Sequence, residues 1–168
     1  MMRVTFNADA VFAALDKPRA ELSDLQPVYE DIGSYMVKAT RERFPKGEAP
    51  DGTRWRQKSP VTLAQYLRRG DGNRPSPLIG PSGRLGREIT ATAASDGVEI
   101  GSSLIYSAVM QFGAQQGAFG RSKRRTPLPW GDIPARPFLG LSRDDERTII
   151  EIVDDHLEEV IGDDRGAD

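Results

Sequence analysis

Between Lys46 and Arg84 the chain cannot hold a long helix or an uninterrupted strand. Gly47, Pro50, Gly52, Pro60, Gly70, Gly72, Pro75, Pro77, Gly80, Pro81 and Gly83 punctuate it throughout. Each proline fixes φ and removes a backbone donor, and each glycine raises the entropic cost of a regular element. Only a short helix from about Val61 to Arg69 fits, with Leu63, Tyr66 and Leu67 as its apolar side. Long loops inside a small domain are commonly functional or interaction arms. Residues 46–83 therefore read as an arm or clamp lying on the domain or on a neighbouring subunit.

Regular structure falls to either side. Residues 3–6 are extended in character, and Asn7 or Asp9 could cap a short helix through about Leu15. Leu25, Val28, Ile32, Met36, Ala39 and Arg43–Phe44 recur every three or four residues, the apolar face of an amphipathic helix. Ser23 or Asp24 supplies its N-cap, Pro27 suits its first turn, and Pro45 is expected to stop it.

Beyond the punctuated stretch, Ile89, Ala91 and Ala93 alternate with threonines, Asp96-Gly97 signals a tight type I′ turn, and Val98 and Ile100 alternate on the return. Ser102 or Ser103 then caps a helix carrying Ile105, Tyr106, Val109, Met110 and Phe112, with Gly113 as its stop. Residues 114–133 read as a long loop or a second, extended hairpin, and Phe138 and Leu139 as a short strand. Ser142 caps a terminal helix whose first turn holds Asp144, Asp145 and Glu146, where the helix dipole favours negative charge. Ile149, Ile150, Val153, Leu157, Val160 and Ile161 form its buried stripe and Gly162 its end. The expectation is an α+β fold: a small antiparallel sheet packed with a long N-terminal helix, a middle helix and a C-terminal helix, the last against the sheet. Residues 1–162 form one domain, with 46–83 and 114–132 as extended loop arms and 163–168 frayed.

Charge is unevenly distributed. Residues 1–37 carry 3 basic and 6 acidic side chains, residues 38–143 carry 18 and 8, and residues 144–168 carry 2 and 11. Three readings are open: ordinary solvated faces, complementary surfaces between subunits, or a nucleic-acid surface. The clusters Arg121, Lys123, Arg124, Arg125 and Arg68, Arg69, Arg74 can neutralise phosphates, yet no motif aims side chains at base edges. A basic loop gripping the acidic face of a neighbouring subunit explains the same residues.

Chemistry finds little footing. With no cysteine and a single histidine, His156, thiolate and multi-histidine metal sites are excluded within one chain. Asp51 beside Trp55 could mimic a glycosidase carboxylate on a sugar platform, but a turn aspartate with a hydrophobic anchor accounts for both. His156 lies among Asp154, Asp155, Glu158 and Glu159, as a solvated side chain would. Ser102, Ser103 and Ser142 precede helices and look like caps. Gly80, Gly83 and Gly86 lack the Lys-Ser/Thr of a phosphate-binding loop. No catalytic, cofactor or metal residues are assigned, no segment spans a membrane, and the chain is expected to stay in the cytoplasm that makes it.

Three strings carry a resemblance. The first is Ala49-Pro50-Asp51-Gly52-Thr53-Arg54-Trp55, followed by Ser59-Pro60-Val61-Thr62-Leu63. The second runs from Ser82-Gly83-Arg84-Leu85 through Val98-Glu99-Ile100-Gly101-Ser102 to Tyr106-Ser107-Ala108-Val109-Met110-Gln111-Phe112-Gly113. The third is Ile133-Pro134-Ala135-Arg136-Pro137-Phe138-Leu139-Gly140-Leu141-Ser142. In this order and spacing, over about residues 25–160, the chain resembles the phage virion morphogenesis family, the tail-completion proteins of Mu-like and P2-like phages. Pro75–Gly86 departs from the pattern in being longer and richer in proline.

The resemblance implies a non-enzymatic virion protein with no cofactor, assembled in the host cytoplasm as a homo-oligomeric ring, a hexamer, at the neck or head-proximal tail end. Its implied partners are copies of itself and other neck and tail proteins. A tail terminator capping the tube, a DNA-binding module on the genome exit path and a cell-wall hydrolase are the alternatives. Interface candidates are Trp55, Arg68, Arg69, Arg121, Lys123, Arg124, Arg125, Trp130 and Arg136. For Trp55 and Trp130 a local mini-core competes with an interface role. For Arg136, reaching a carboxylate, on this or an adjacent subunit, competes with a plain buried strand entry. Gln111-Phe112-Gly113 reads as a helix end in the core or a contact site.

Overall fold

The computed structural model describes residues 2–6 and 25–164. The fold is α+β. A three-stranded antiparallel sheet, order β1-β3-β2, is built from β1 (Met2–Phe6), β2 (Ile89–Ala94) and β3 (Gly97–Ser102). Among the described residues the helices are α1 (Gln26–Lys46), α2 (Pro60–Arg69), α3 (Arg84–Arg87), α4 (Ser107–Phe112) and α5 (Arg143–Asp164). The helix proposed for about Asn7–Leu15, and the Ser23 or Asp24 cap, lie outside the described residues.

Helix α1 buries Val28, Tyr29, Ile32, Met36 and Phe44, the expected stripe. It lies across β2 and β3, and α5 packs against α1. Gly33 makes the first contact close: a Cβ there would sit 2.9 Å from Ala91 Cβ and 3.0 Å from Val98 Cγ2. Pro45 does not end α1. It occupies the last turn, and the helix closes at Gly47, whose N–H donates to the Arg43 carbonyl at 2.8 Å.

The hairpin forms as expected, but its turn differs. Ala94 pairs with Gly97, so Ser95 and Asp96 are the central residues, and neither has positive φ. The type I′ geometry inferred from Asp96-Gly97 is therefore absent. The terminal helix carries the Ser142 cap: Ser142 Oγ accepts from Asp145 N–H at 3.0 Å and the Asp145 carboxylate accepts from Ser142 N–H at 2.7 Å. This is a reciprocal capping box with aspartate in the third position. Ile149, Val153 and Leu157 are buried, but Ile150 is exposed, and the helix runs past Gly162 to Asp164. The side chains of Val160 and Ile161 lie outside those described.

The remaining core comes from irregular chain. Phe138 is fully buried and Leu139 nearly so, yet neither is in a strand. Gln111 replaces the missing ladder: its Oε1 accepts from both N–H groups at 2.9 and 3.0 Å, and its Nε2 donates to the Leu139 carbonyl. Buried backbone groups must be paired somehow, and here one side chain pairs three of them. Phe138 packs against Phe44 with the rings tilted at 5.6 Å, and Phe44 also meets Trp55 at 5.7 Å in an edge contact.

A candidate assembly interface

The residues that could have suggested chemistry all have local employment. Asp51 Oδ1 accepts from Thr53 N–H at 2.9 Å, a turn bond that holds its carboxyl below the ordinary value. His156 Nε2 lies 2.8 Å from Asp31 Oδ2, tying α5 to α1. Ser102 Oγ accepts from Leu104 N–H and so closes a turn without capping α4, which starts at Ser107. Among the described residues no group of three His, Asp or Glu side chains is placed to hold a metal, and no helix is long and apolar enough to cross a membrane.

Two sequence-chosen interface residues are internal. Trp55 is buried, and its indole N–H donates to the Pro137 carbonyl at 2.8 Å. It anchors the chain's own aromatic core, as the mini-core alternative had it. Arg136 is buried too, but reaches no carboxylate: it donates to the carbonyls of Arg56 and Gln57 at 2.8 and 3.2 Å. Burial and the nearby Arg56 charge lower its pKa. Lys58 likewise donates to the Arg74 and Ile79 carbonyls at 2.8 and 2.6 Å. Trp55 and Arg136 staple the 46–83 stretch to the 136–137 segment, and Lys58 ties the stretch to itself.

The other candidates are at the surface. Arg68 and Arg69 end α2 in the open, where a helix C-terminus favours cations. The Val61–Arg69 helix thus forms, starting at Pro60 with Ser59 as its cap, though Leu67 on its supposed apolar side is exposed. Trp130 is 61% exposed, and Arg121, Lys123, Arg124 and Arg125 are all exposed.

Those five share one feature, an irregular hairpin over residues 114–133. Ala114 and Ile133 exchange backbone bonds at its base, and Phe119 N–H to Leu128 O (2.7 Å), Leu128 N–H to Gly120 O (2.8 Å) and Ser122 N–H to Thr126 O (2.8 Å) hold it further out. The base is rigidly joined to α4. Gly113 has φ +76°, and a Cβ on it would fall 2.6 Å from the Ile133 carbonyl oxygen, so only glycine fits. At the tip, Arg125 N–H donates to Ser122 O, closing a turn centred on Lys123 and Arg124. Arg125 then takes φ 61°, among the described non-glycine residues the only positive value. A turn followed by a left-handed residue is a common three-residue hairpin loop, and glycine usually holds that last place.

Sequence reasoning missed the apolar part of this surface. Phe119 (59%) and Leu128 (42%) are exposed on the hairpin, Ile105 (94%) just before α4 and Phe112 (69%) at its last position. Ile105 and Phe112 had been placed on an apolar helix face, but α4 is too short to bury them. Its inward positions are Ser107 and Gln111. Apolar residues bracketing a polar, buried Gln were the available signal.

The opposite charge sits on α5. Glu151, Asp154, Asp155, Glu158 and Glu159 are exposed there, and no Lys or Arg follows Arg147 within the described helix.

A phage virion morphogenesis family model matches residues 6–158. The chain belongs to the phage virion morphogenesis family. Among curated relatives of this family, a protein of Escherichia phage Mu named for capsid assembly, protein G, is 28% identical over 153 residues, covering 90% of this chain and 91% of the relative. Mu-like prophage FluMu G protein 2 of Haemophilus influenzae is 27% identical over 155 residues, 92% of this chain and 94% of the relative. No solved structure matches. Membership gives the chain a structural role in bacteriophage virion morphogenesis.

Proposed function

We propose that the chain is a non-catalytic assembly protein that forms a homo-oligomeric ring, six copies around, at the head-proximal end of the phage tail. There it completes the tail and makes it competent to join the filled head. The observation that carries this reading is the rigidly based hairpin over residues 114–133, which projects a basic tip and three exposed large apolar side chains. Exposed aromatics beside cations are the composition of an interface, and such side chains cost solubility when nothing covers them. The family membership supports virion assembly as the setting, and the Mu relative is named for capsid assembly.

Electron microscopy of lysates from a phage lacking this gene tests the reading, with complementation as control. Filled heads beside unattached tails of normal length are expected. Tails of irregular length would move the role to a terminator capping the tube, and heads that fail to form would move it to the capsid. Fully infectious virions would sink the structural reading.

The four tip cations favour one second reading, contact with packaged DNA on its exit path. Retention of nonspecific duplex by the purified protein, falling steeply with salt, is its signature.

A further inference from the structure

We infer that the hairpin tip of one copy docks on the acidic outer face of α5 in the next copy, so that the ring closes by a repeated head-to-tail contact. This rests on the ring reading above and names the two faces that make it. Among the described residues, ion pairs inside the chain join Arg43 to Asp145, Arg84 to Glu88 and Arg147 to Asp144, and His156 shares a hydrogen bond with Asp31. None involves the tip cations Arg121, Lys123, Arg124 and Arg125, and none involves Glu151, Asp155 or Glu158. Among the described residues each set therefore lacks an ion-pair partner in its own copy, and the two sets are complementary.

Both sets are also held in place at a cost. Glu151–Asp155 and Asp154–Glu158 are like-charge pairs four residues apart, which destabilise a helix with no return inside the monomer. Arg125 occupies a left-handed position that disfavours any side chain. Apolar matter accompanies the charge on each side. Phe119, Leu128 and Trp130 stand on the hairpin, and exposed Ile150 lies one turn before Asp154 at the edge of the acidic face. Two different patches on one chain that fit each other make a heterologous contact, which closes into a ring when the rotation permits.

The test is mutual rescue, read by native mass in about 0.1 M salt. K123E/R124E reverses the tip, and E151K/D155K/E158K reverses the helix face. All five side chains are exposed, and circular dichroism of each variant checks that it folds as the wild type does. The wild type is expected to assemble and each variant alone to run as a single chain. An equimolar mixture is expected to regain the wild-type mass, because reversed tips fit reversed helices and native tips fit native ones. Raising salt to about 1 M, where the screening length falls to roughly 3 Å, is expected to weaken the wild-type assembly. Variants that keep the wild-type mass would overturn the contact while leaving the ring intact. Two monomeric variants that fail to rescue each other would also overturn it. A wild type that is monomeric at every concentration would overturn the ring reading itself. A tip variant that keeps its mass but loses retention of duplex DNA would reassign the tip to nucleic acid.

Discussion

Arg43 and Asp145, 102 residues apart in the chain, form a buried ion pair that locks α1 to the first turn of α5. Each partner makes further hydrogen bonds. Arg43 also donates to the Phe138 and Gly140 carbonyls at 2.9 and 3.0 Å, and Asp145 also accepts from Ser142 and from the Tyr35 hydroxyl. Burial lowers the Arg43 pKa, with the Asp145 carboxylate opposing that shift. Removing one member of such a pair strands a buried charge, so Arg43→Ala is expected to cost about 3–5 kcal/mol. Urea denaturation with an unchanged slope measures it. The double replacement Arg43→Met with Asp145→Leu is expected to cost less than Arg43→Ala alone, since no charge is then stranded.

Tyr35 gives the same junction an alkaline limit. Its hydroxyl donates to Asp145 Oδ1 at 3.1 Å, and burial raises its pKa above the ordinary 10.0, with Asp145 adding to the effect. A folded-state pKa above the unfolded one means stability that is present in full below pH 10 and lost as pH rises through the folded value. Tyr35→Phe is therefore expected to be less stable than wild type at neutral pH, with a gap that narrows above pH 10. Paired melting curves from pH 7 to pH 11 check the sign. A gap that widens with pH would contradict it.

Gly33 tests how tightly α1 sits on the sheet. Alanine is the better helix former by about 1 kcal/mol, but its methyl would press on Ala91 and Val98 at 2.9 and 3.0 Å. Overpacking of this kind typically costs about 1–3 kcal/mol. Gly33→Ala is expected to lower the melting temperature, and Ala91→Gly in the same chain to recover part of the loss.

Thr40 is fully buried on α1, and its hydroxyl is the one buried side-chain oxygen among the described residues that lacks a hydrogen-bond partner. An unpaired buried hydroxyl costs about 1–3 kcal/mol. Thr40→Val keeps the shape and removes the hydroxyl, and is expected to raise stability. A fall in the urea midpoint would show that the hydroxyl is satisfied by water.

These cases mark what a sequence can and cannot disclose. The stripe of α1, the hairpin, the Ser142 cap and the basic tip were legible because each is a local pattern of period or charge. Arg43 read as part of the α1 face, but its partner could not be read, because nothing local links it to a carboxylate a hundred residues on. For Trp55 and Arg136 the sequence left an internal and an interface role open for the same reason. A tryptophan or arginine in a loop-rich stretch is internal only if distant segments close over it, here the Pro137 carbonyl and the Arg56–Gln57 backbone. Pro45 and the Asp96-Gly97 turn failed differently. There the statistical rule was sound, but the helix end and the strand register were set by Gly47 and by the pairing of Ala94 with Gly97.

Arg125 allows the tip's two properties to be separated. Its φ of 61° is strain that glycine would relieve, worth roughly 1–2 kcal/mol for a left-handed residue. Arg125→Gly is therefore expected to tighten the tip, visible as slower amide exchange at Ser122, whose N–H donates to Thr126 O at 2.8 Å. A gain of about 1.4 kcal/mol would slow local exchange about tenfold if that amide opens with the tip. The same substitution removes one of four cations from the proposed contact, so assembly is expected to weaken as the tip becomes more stable. These opposite movements distinguish a strained contact residue from a residue that is merely tolerated. If the glycine variant is better protected and assembles as well as the wild type, Arg125 makes no contact. The docking surface then narrows to Arg121, Lys123 and Arg124.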